Sequence, residues 1–233
     1  MSDVKHSIAV IGGTGALGFG LALRWAIAGH QIIIGSRAQD SADRGAARLA
    51  GLVPNMTVSG LENAAAAAAA EIVVLTVPFA NQAPMLEAIK LGCQGKIMVD
   101  VTVPLMPPKV RTVHIPEHGS AGKGAQVFLG DGVRVVSAFQ NVAADHLADL
   151  SHDIDCEILV CGNDPEAREI VVGLAEDAEM RAWHGGRIEN SVVAEALTSA
   201  LIFMNNRYKI AGAGIRITGA PGSADNSNDG GDH

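Results

Sequence analysis

The chain has 233 residues, a formal net charge of −8, 48% hydrophobic residues and only 3% aromatic residues. This length suits one large domain, or a domain with a small appendage, whose core is built mainly from aliphatic side chains and alanine. The acidity excludes the broad basic surface that nucleic acid or an anionic membrane requires, so we expect neither as a partner.

The cysteines Cys93, Cys156 and Cys161 have no spacing typical of a zinc or redox site. We therefore predict reduced thiols, a cytoplasmic protein and no metal site. No signal peptide is recognisable at the N-terminus. The longest apolar stretch, residues 64–80, is too short and too rich in alanine to be predicted as a membrane span.

The first forty residues predict a βαβ unit. Residues 7–11 are typical of a short buried strand, and residues 17–28 have apolar side chains at helical spacing that stop at Gly29. Residues 31–34 predict a second strand, which is β-branched after its first position. A glycine-rich turn lies between the first strand and the helix.

The alternation of strands and helices continues along the chain. Further strands are predicted at residues 72–77, 96–103, 133–139 and 157–160. Further helices are predicted at residues 41–50, 64–70, 84–91, 165–176 (with Asp164 as its N-cap) and 189–208. Residues 107–124 are predicted as a long loop because they are rich in proline, glycine and histidine.

These elements predict an α/β protein with a Rossmann-type, mostly parallel sheet and a smaller C-terminal helical part. We place one domain at residues 1–145 and a smaller part at residues 146–219. The long apolar helix at its end predicts a homodimer. The small, polar residues 220–233 predict a disordered tail.

Gly13, Gly15 and Gly18 form the pattern G-x-G-x-x-G between the first strand and the first helix. In that context the pattern indicates a dinucleotide site: Gly13 permits the tight turn, Gly15 lets a pyrophosphate approach the backbone, and Gly18 lets the helix pack close to the strand. The N–H groups at the start of the helix would face the phosphates. The alternative is a glycine-rich turn without a ligand.

The end of the second strand favours NADP over NAD. An NAD site usually carries a carboxylate there for the ribose hydroxyls, whereas this chain has Gly35, Ser36 and Arg37. A serine hydroxyl and a guanidinium suit a 2′-phosphate, which a carboxylate would repel. The alternative is that Arg37 is a solvated surface charge. If the site binds NADP, residues 1–145 are the NADP-binding domain and residues 146–219 cap the substrate cleft.

The nicotinamide is expected beyond the carboxyl ends of the later strands, where the order of the sheet reverses. Those ends are Val77-Pro78, Val103-Pro104 and residues 140–144, which are mostly apolar or small. Core packing accounts for these residues about as well as a binding role does.

Five segments together resemble the NADPH-dependent reductases of coenzyme F420, a deazaflavin hydride carrier. They are "IAVIGGTGALGFGLALRWAIAGHQIIIGSR", "VVLTVPF", "VVSAFQNVAA", "ILVCGND" and "ALTSALIFMNNRYK". The resemblance extends from residue 7 to about residue 218. It implies direct hydride transfer from nicotinamide C4 to deazaflavin C5, which depends on ring alignment and exclusion of water and needs no catalytic side chain.

The resemblance also assigns site residues. It implies that NADP is contacted by Thr14, Gly15, Ala16, Leu17, Ser36, Arg37, Val77 and Ala144. It implies that the deazaflavin is approached by Val103, Gln140, Val142 and the segment of Gly212 and Gly214.

The chain departs from the family pattern at two places. Gln140 and Asn141 stand where relatives often carry histidine, and no lysine follows Arg37 near Ser41. Arg44, one helical turn further on, is a candidate replacement for that lysine.

Two other functions stay open. One is an NADPH-dependent reductase of a different acceptor: a flavin, an imine or a pterin-like heterocycle. β-Hydroxyacid dehydrogenases are disfavoured because they use a lysine on the helix after the sheet, and this chain has none between Lys123 and Lys209. The other is an NADP sensor without catalytic activity.

Overall fold

A computed structural model describes residues 4–219 of the chain. The strands are β1 (Ser7–Ile11), β2 (Gln31–Ser36), β3 (Val58–Glu62), β4 (Ile72–Leu75), β5 (Ile97–Asp100), β6 (Arg134–Ser137), β7 (Ile158–Gly162) and β8 (Ala182–Gly186). The helices are α1 (Ala16–Ile27), α2 (Gln39–Leu52), α3 (Asn63–Ala69), α4 (Gln82–Ile89), α5 (Ala121–Leu129), α6 (Ala144–Ala148), α7 (Pro165–Asp177) and α8 (Ser191–Tyr208). Short 3₁₀ helices precede α4 and α8, at Phe79–Asn81 and Ile188–Asn190.

The strands form a single eight-stranded sheet in the order β3-β2-β1-β4-β5-β6-β7-β8. The pairs from β3 to β6 are all parallel, β7 runs antiparallel to β6, and β8 is again parallel to β7. The strand order reverses between β1 and β4, which in such sheets is where ligands bind. The predicted α/β class with a mostly parallel sheet is confirmed.

The core lies on both faces of the sheet, as expected for parallel strands that helices cover on each side. Trp25 and Phe139 are its largest fully buried side chains, and their rings meet edge to face with centroids 5.8 Å apart. The alanine-rich stretch is α3, as predicted. Its Ala66 and Ala67 are fully buried, so small side chains there allow close packing.

Four elements were not predicted from the sequence: the strands β3 and β8 and the helices α5 and α6. The edge strand β3 was not predicted because Gly60 interrupts its β-forming residues. The other edge strand, β8, escaped prediction because it ends in two glycines. The predicted loop 107–124 is too long, since α5 begins at Ala121 with the Ser120 side chain accepting a hydrogen bond from the Lys123 N–H at 3.0 Å.

Residues 146–219 contribute β7 and β8 to the same sheet as well as α7 and α8. The division at residue 145 into a nucleotide-binding and a capping part stays a prediction. The disordered tail predicted at residues 220–233 lies outside the described residues. Within residues 4–219, no helix combines the length and the apolar character that a membrane crossing requires.

Candidate functional site

A cleft of about 1120 Å³ opens at the carboxyl ends of β1, β2 and β4, beside the reversal of strand order. Seven residues predicted from the sequence line it: Thr14, Gly15, Ser36, Arg37, Arg44, Val77 and Pro78. The structure therefore brings together the glycine-rich turn, the end of β2 and the end of β4, although these lie far apart along the chain.

The turn after β1 needs its glycines for different reasons. Gly12 is the residue with left-handed backbone (φ 79°), so the conformational freedom assigned to Gly13 belongs to its neighbour. A Cβ on Gly13 would lie 2.7 Å from the Val10 carbonyl oxygen. Gly15 has φ −75°, which any residue adopts, and a Cβ there would meet only the Gly12 carbonyl oxygen at 3.3 Å. The fold constrains position 15 only through this one tight contact, and the missing Cβ leaves the space in front of the turn open to a ligand.

The start of α1 is packed tightly against the end of β4. A Cβ on Gly18 would lie 2.5 Å from Thr76 Oγ1, whose hydroxyl donates to the Ile11 carbonyl at 2.8 Å. Gly15 is the N-cap of α1 and offers no side-chain cap. The first N–H groups of the helix have no carbonyl partner inside the helix, so they can bind an anion.

The end of β2 and one face of α2 form the cationic wall of the cleft. Arg37, Arg44 and Arg48 all line it, together with Ser36 and Ser41. Arg44 Nη2 donates to Ser41 Oγ at 3.0 Å. Within residues 4–219, no carboxylate forms an ion pair with any of these arginines. Uncompensated positive charge in an acidic chain fits a phosphorylated ligand.

Asn63, at the start of α3, also lines the cleft and was not singled out from the sequence. Its side chain is buried, and its Oδ1 has no hydrogen-bond partner in the described part of the chain. An unpaired buried acceptor costs about 1–3 kcal/mol. An N–H donor on a bound ligand would remove that cost, so the residue fits a nucleotide site.

The residues expected around the deazaflavin form a second group outside the lining of this cleft. Gln140 is buried, with Nε2 donating to the Asp100 carbonyl and to Ser137 Oγ, both at 2.8 Å. Val142 is also buried, and Val103 is half-buried. Ala144, which was predicted as an NADP contact, is half-buried as well and lies outside the residues that line the cleft. Gly212 and Gly214 lie against the same region: a Cβ on Gly212 would touch the Ala143 and His146 side chains, and one on Gly214 would touch Cys156.

The loop that holds Gln140 contacts a buried polar network through Asp100. Gln82 Nε2 donates to Asp100 Oδ2 at 2.5 Å, and the Glu195 carboxylate accepts the N–H groups of Ala121 and Gly122 at 2.6 and 3.0 Å. Burial raises the pKa of Asp100 to about 6 and that of Glu195 to about 7. Sequence patterns did not indicate this network, because its members come from β5, α4 and α8.

The raised pKa of Glu195 gives a pH dependence that can be measured. A buried acid whose folded pKa lies above its unfolded value of 4.5 costs stability progressively as the pH rises from 4.5 to about 7. We expect this group to make the chain about 2 kcal/mol less stable at pH 8 than at pH 5.5. Urea unfolding of the wild type and Glu195→Gln at both pH values measures the difference.

The control for that experiment is Glu87→Gln, which changes an exposed glutamate on α4. Glu87→Gln should keep the wild-type pH dependence of the unfolding free energy, whereas Glu195→Gln should lose most of the difference. An unchanged pH dependence in Glu195→Gln would show that Glu195 does not titrate as a buried acid.

No group of three or more histidine, cysteine, aspartate or glutamate side chains within residues 4–219 could hold a metal ion. Burial raises the pKa of each cysteine thiol to about 11. The thiols are therefore not activated as nucleophiles.

The comparison with protein families decides the assignment. Residues 7–104, which hold β1 to β5 and the cleft, match the family described as NADP oxidoreductase, coenzyme F420-dependent. The F420-dependent NADP reductase of Methanocaldococcus jannaschii is 41% identical over 219 residues, which cover 91% of this chain and 97% of that protein. The chain belongs to this family.

Other members and solved structures extend the comparison. The F420-dependent NADP reductase of Methanothermobacter thermautotrophicus is 39% identical, covering 92% of this chain and 95% of that protein. A provisionally named F420-dependent NADP reductase from Arthrobacter sp. FB24 superposes with a TM-score of 0.75 at 27% identity, covering 91% of this chain and 99% of that one. An imine reductase from Bacillus cereus (TM-score 0.59, 18% identity, 87% and 62% covered) shares the fold.

Proposed function

We propose that the chain is an NADP-dependent oxidoreductase that transfers a hydride between NADP(H) and coenzyme F420. The observation that carries the proposal is the near full-length identity of 39–41% to proteins named F420-dependent NADP reductase. The cleft supports it independently, since its glycine turn and unpaired arginines suit a dinucleotide that bears an additional phosphate.

The proposal gives each part of the cleft a role. The N–H groups at the start of α1 hold the pyrophosphate beside Gly15, where the missing Cβ leaves room. Ser36 and Arg37 hold the adenosine 2′-phosphate at the end of β2. Val77 and Pro78, at the end of β4, line the nicotinamide side of the cleft.

The bound cofactors supply the reacting atoms, nicotinamide C4 and deazaflavin C5. The protein's part is to align the two rings and to exclude water, so no side chain is assigned an acid or base role. The deazaflavin side is proposed to be formed by Val103, Gln140, Val142, Gly212 and Gly214, with Ala144 on the NADP side. Hydrogen bonds from Gln140 to the Asp100 carbonyl and Ser137 fix the position of this loop.

The test is to mix the purified chain with NADPH and oxidised F420 and to follow the deazaflavin absorbance. We expect the absorbance to fall at the rate at which NADPH is consumed. Parallel reactions contain flavin mononucleotide or a cyclic imine in place of F420. Turnover of the flavin or the imine without F420 reduction would support the other-acceptor alternative, and NADPH binding without any turnover would support the sensor alternative.

The proposal includes a homodimer in the cytoplasm. Apolar side chains on the outward side of α8 support self-association: Val193, Phe203, Met204 and Tyr208 are exposed. The free cysteines are compatible with a reducing compartment. Light scattering on the same preparation is expected to give twice the 24.0 kDa mass of one chain, and the mass of a single chain would contradict the dimer.

A further inference from the structure

Helix α2 presents one face directly to the glycine-rich turn. Its Gly45 has no side chain between the two elements, and a Cβ there would lie 3.1 Å from Thr14 Cγ2 and 3.0 Å from Ile34 Cγ2. Arg48 comes three residues after Gly45 and four after Arg44, and residues three and four apart in a helix are neighbours on its surface. Both arginines line the cleft.

The two arginines are held in different ways. Arg44 reaches back towards the start of α2, where it donates to Ser41 Oγ. The guanidinium carbon of Arg48 lies 3.9 Å from the centroid of the Phe19 ring, and Phe19 is itself buried in α1. Stacking on a fixed ring orders a guanidinium that would otherwise move freely in solvent. Arg48 is therefore positioned beside the turn before any ligand binds.

Position and charge indicate which part of the ligand Arg48 meets. The pyrophosphate is served by the N–H groups at the start of α1. Helix α2 follows β2, whose carboxyl end takes the adenosine ribose in folds of this type. A 2′-phosphate on that ribose carries a charge of about −1.5 to −2 at neutral pH and would lie in the gap between the turn and α2.

We propose that Arg48 is a specificity-determining residue: stacked on Phe19, it forms with Arg44 a second layer of positive charge for the 2′-phosphate of NADP, behind Ser36 and Arg37. The inference rests on the proposed NADP site. It also offers an answer to the absence of a lysine near Ser41, since α2 supplies the missing charge one and two turns later.

The experiment measures the dissociation constants of NADPH, NADH and adenosine 2′,5′-bisphosphate by titration calorimetry. The variants are Arg48→Ala, Arg48→Lys and Phe19→Leu. Arg134→Ala serves as the matched control, because Arg134 lies at the amino end of the parallel strand β6, whereas the cleft lies at the carboxyl ends of the strands. Thermal unfolding without nucleotide checks that each variant is folded.

Arg48→Ala is expected to raise the dissociation constants of NADPH and adenosine 2′,5′-bisphosphate about tenfold, because one charge-assisted contact at a partly solvated site is lost. The dissociation constant of NADH should change by less than about twofold. The NADPH affinity of Arg48→Lys should lie between those of the wild type and Arg48→Ala, because lysine keeps the charge but cannot stack as a planar group on Phe19. Phe19→Leu alone should weaken the binding of NADPH. The double variant Phe19→Leu/Arg48→Ala should bind NADPH no more weakly than Arg48→Ala does. Arg134→Ala should leave all three constants unchanged.

Equal losses for NADPH and NADH in Arg48→Ala would place the side chain at the pyrophosphate and overturn the inference. Unchanged constants would overturn it as well, by showing a solvated surface charge. Because adenosine 2′,5′-bisphosphate carries no reacting ring, these results stand apart from the F420 assay. A chain that binds NADPH selectively but does not reduce F420 would refute the proposed function and leave the inference about Arg48 intact.

Discussion

Gly15→Ala is expected to weaken NADPH binding roughly 10- to 100-fold while the chain stays folded. The backbone at Gly15 is already in a conformation open to alanine, and the added methyl group meets only the Gly12 carbonyl oxygen, at 3.3 Å. The methyl group would instead occupy the space through which the pyrophosphate approaches the start of α1. The loss of a glycine N-cap adds at most about 1 kcal/mol of instability.

Gly13→Ala is the matched comparison, two residues away in the same turn. Its methyl group would lie 2.7 Å from the Val10 carbonyl oxygen and 3.2 Å from Val10 Cβ. Because backbone atoms cannot move aside cheaply, we expect a loss of at least about 2 kcal/mol in the free energy of unfolding. Calorimetric titration with NADPH and urea unfolding separate the two effects. Wild-type NADPH affinity in folded Gly15→Ala would contradict the placement of the pyrophosphate.

Arg37→Ala is expected to lower NADPH affinity by roughly 10- to 100-fold and to change NADH affinity little. Arg37 stands at the end of β2 next to the buried Ser36, and no carboxylate in the described part of the chain forms an ion pair with it. A charge-assisted contact with a phosphate dianion accounts for an effect of this size. The loss should shrink as salt is added, because the site is open to solvent.

The control for Arg37 is Arg111→Ala, which removes an exposed arginine bonded to Asn206 on α8 at 3.1 Å. Arg111→Ala should keep the wild-type preference for NADPH. Fluorescence titration of both variants with NADPH and NADH measures the ratio of affinities. If Arg37→Ala kept that ratio, Arg37 would be a surface charge and the preference for NADP would have to come from α2.

The β1-α1-β2 unit could be predicted from the sequence because its signals are local. About thirty residues hold the glycine-rich turn, the strand and helix that flank it, and the Ser36-Arg37 pair. The spacing of these features is what indicates a dinucleotide site. Asp164 was likewise predicted as an N-cap, and its Oδ1 accepts from the Ala167 N–H at 2.7 Å. Each of these features depends on residues adjacent in the chain.

The features that escaped prediction depend on contacts between distant residues. Arg48 becomes part of the cleft only because α2 packs against Phe19. Gly60 weakens the strand signal of β3, yet a Cβ there would lie 2.5 Å from the backbone of Ala42, so only glycine lets α2 pack over that strand. The approach of Gly212 to residues 143–146 joins segments more than sixty residues apart, which no local pattern reports.

The reversed direction of β7 has a consequence for how the chain's last described residues are anchored. A strand antiparallel to β6 begins where β6 ends, so Glu157 stands beside Asn141, whose Nδ2 donates to the Glu157 carbonyl at 2.9 Å. The Glu157 N–H donates to the Ile215 carbonyl at 2.8 Å, and the Glu157 carboxylate accepts the Ile217 N–H at 2.6 Å. Glu157 thus ties residues 215–217 to the side of the sheet at which the parallel strands β1 and β4 end. Had β7 run parallel, its first residue would lie at the far rim, and this clasp could not form.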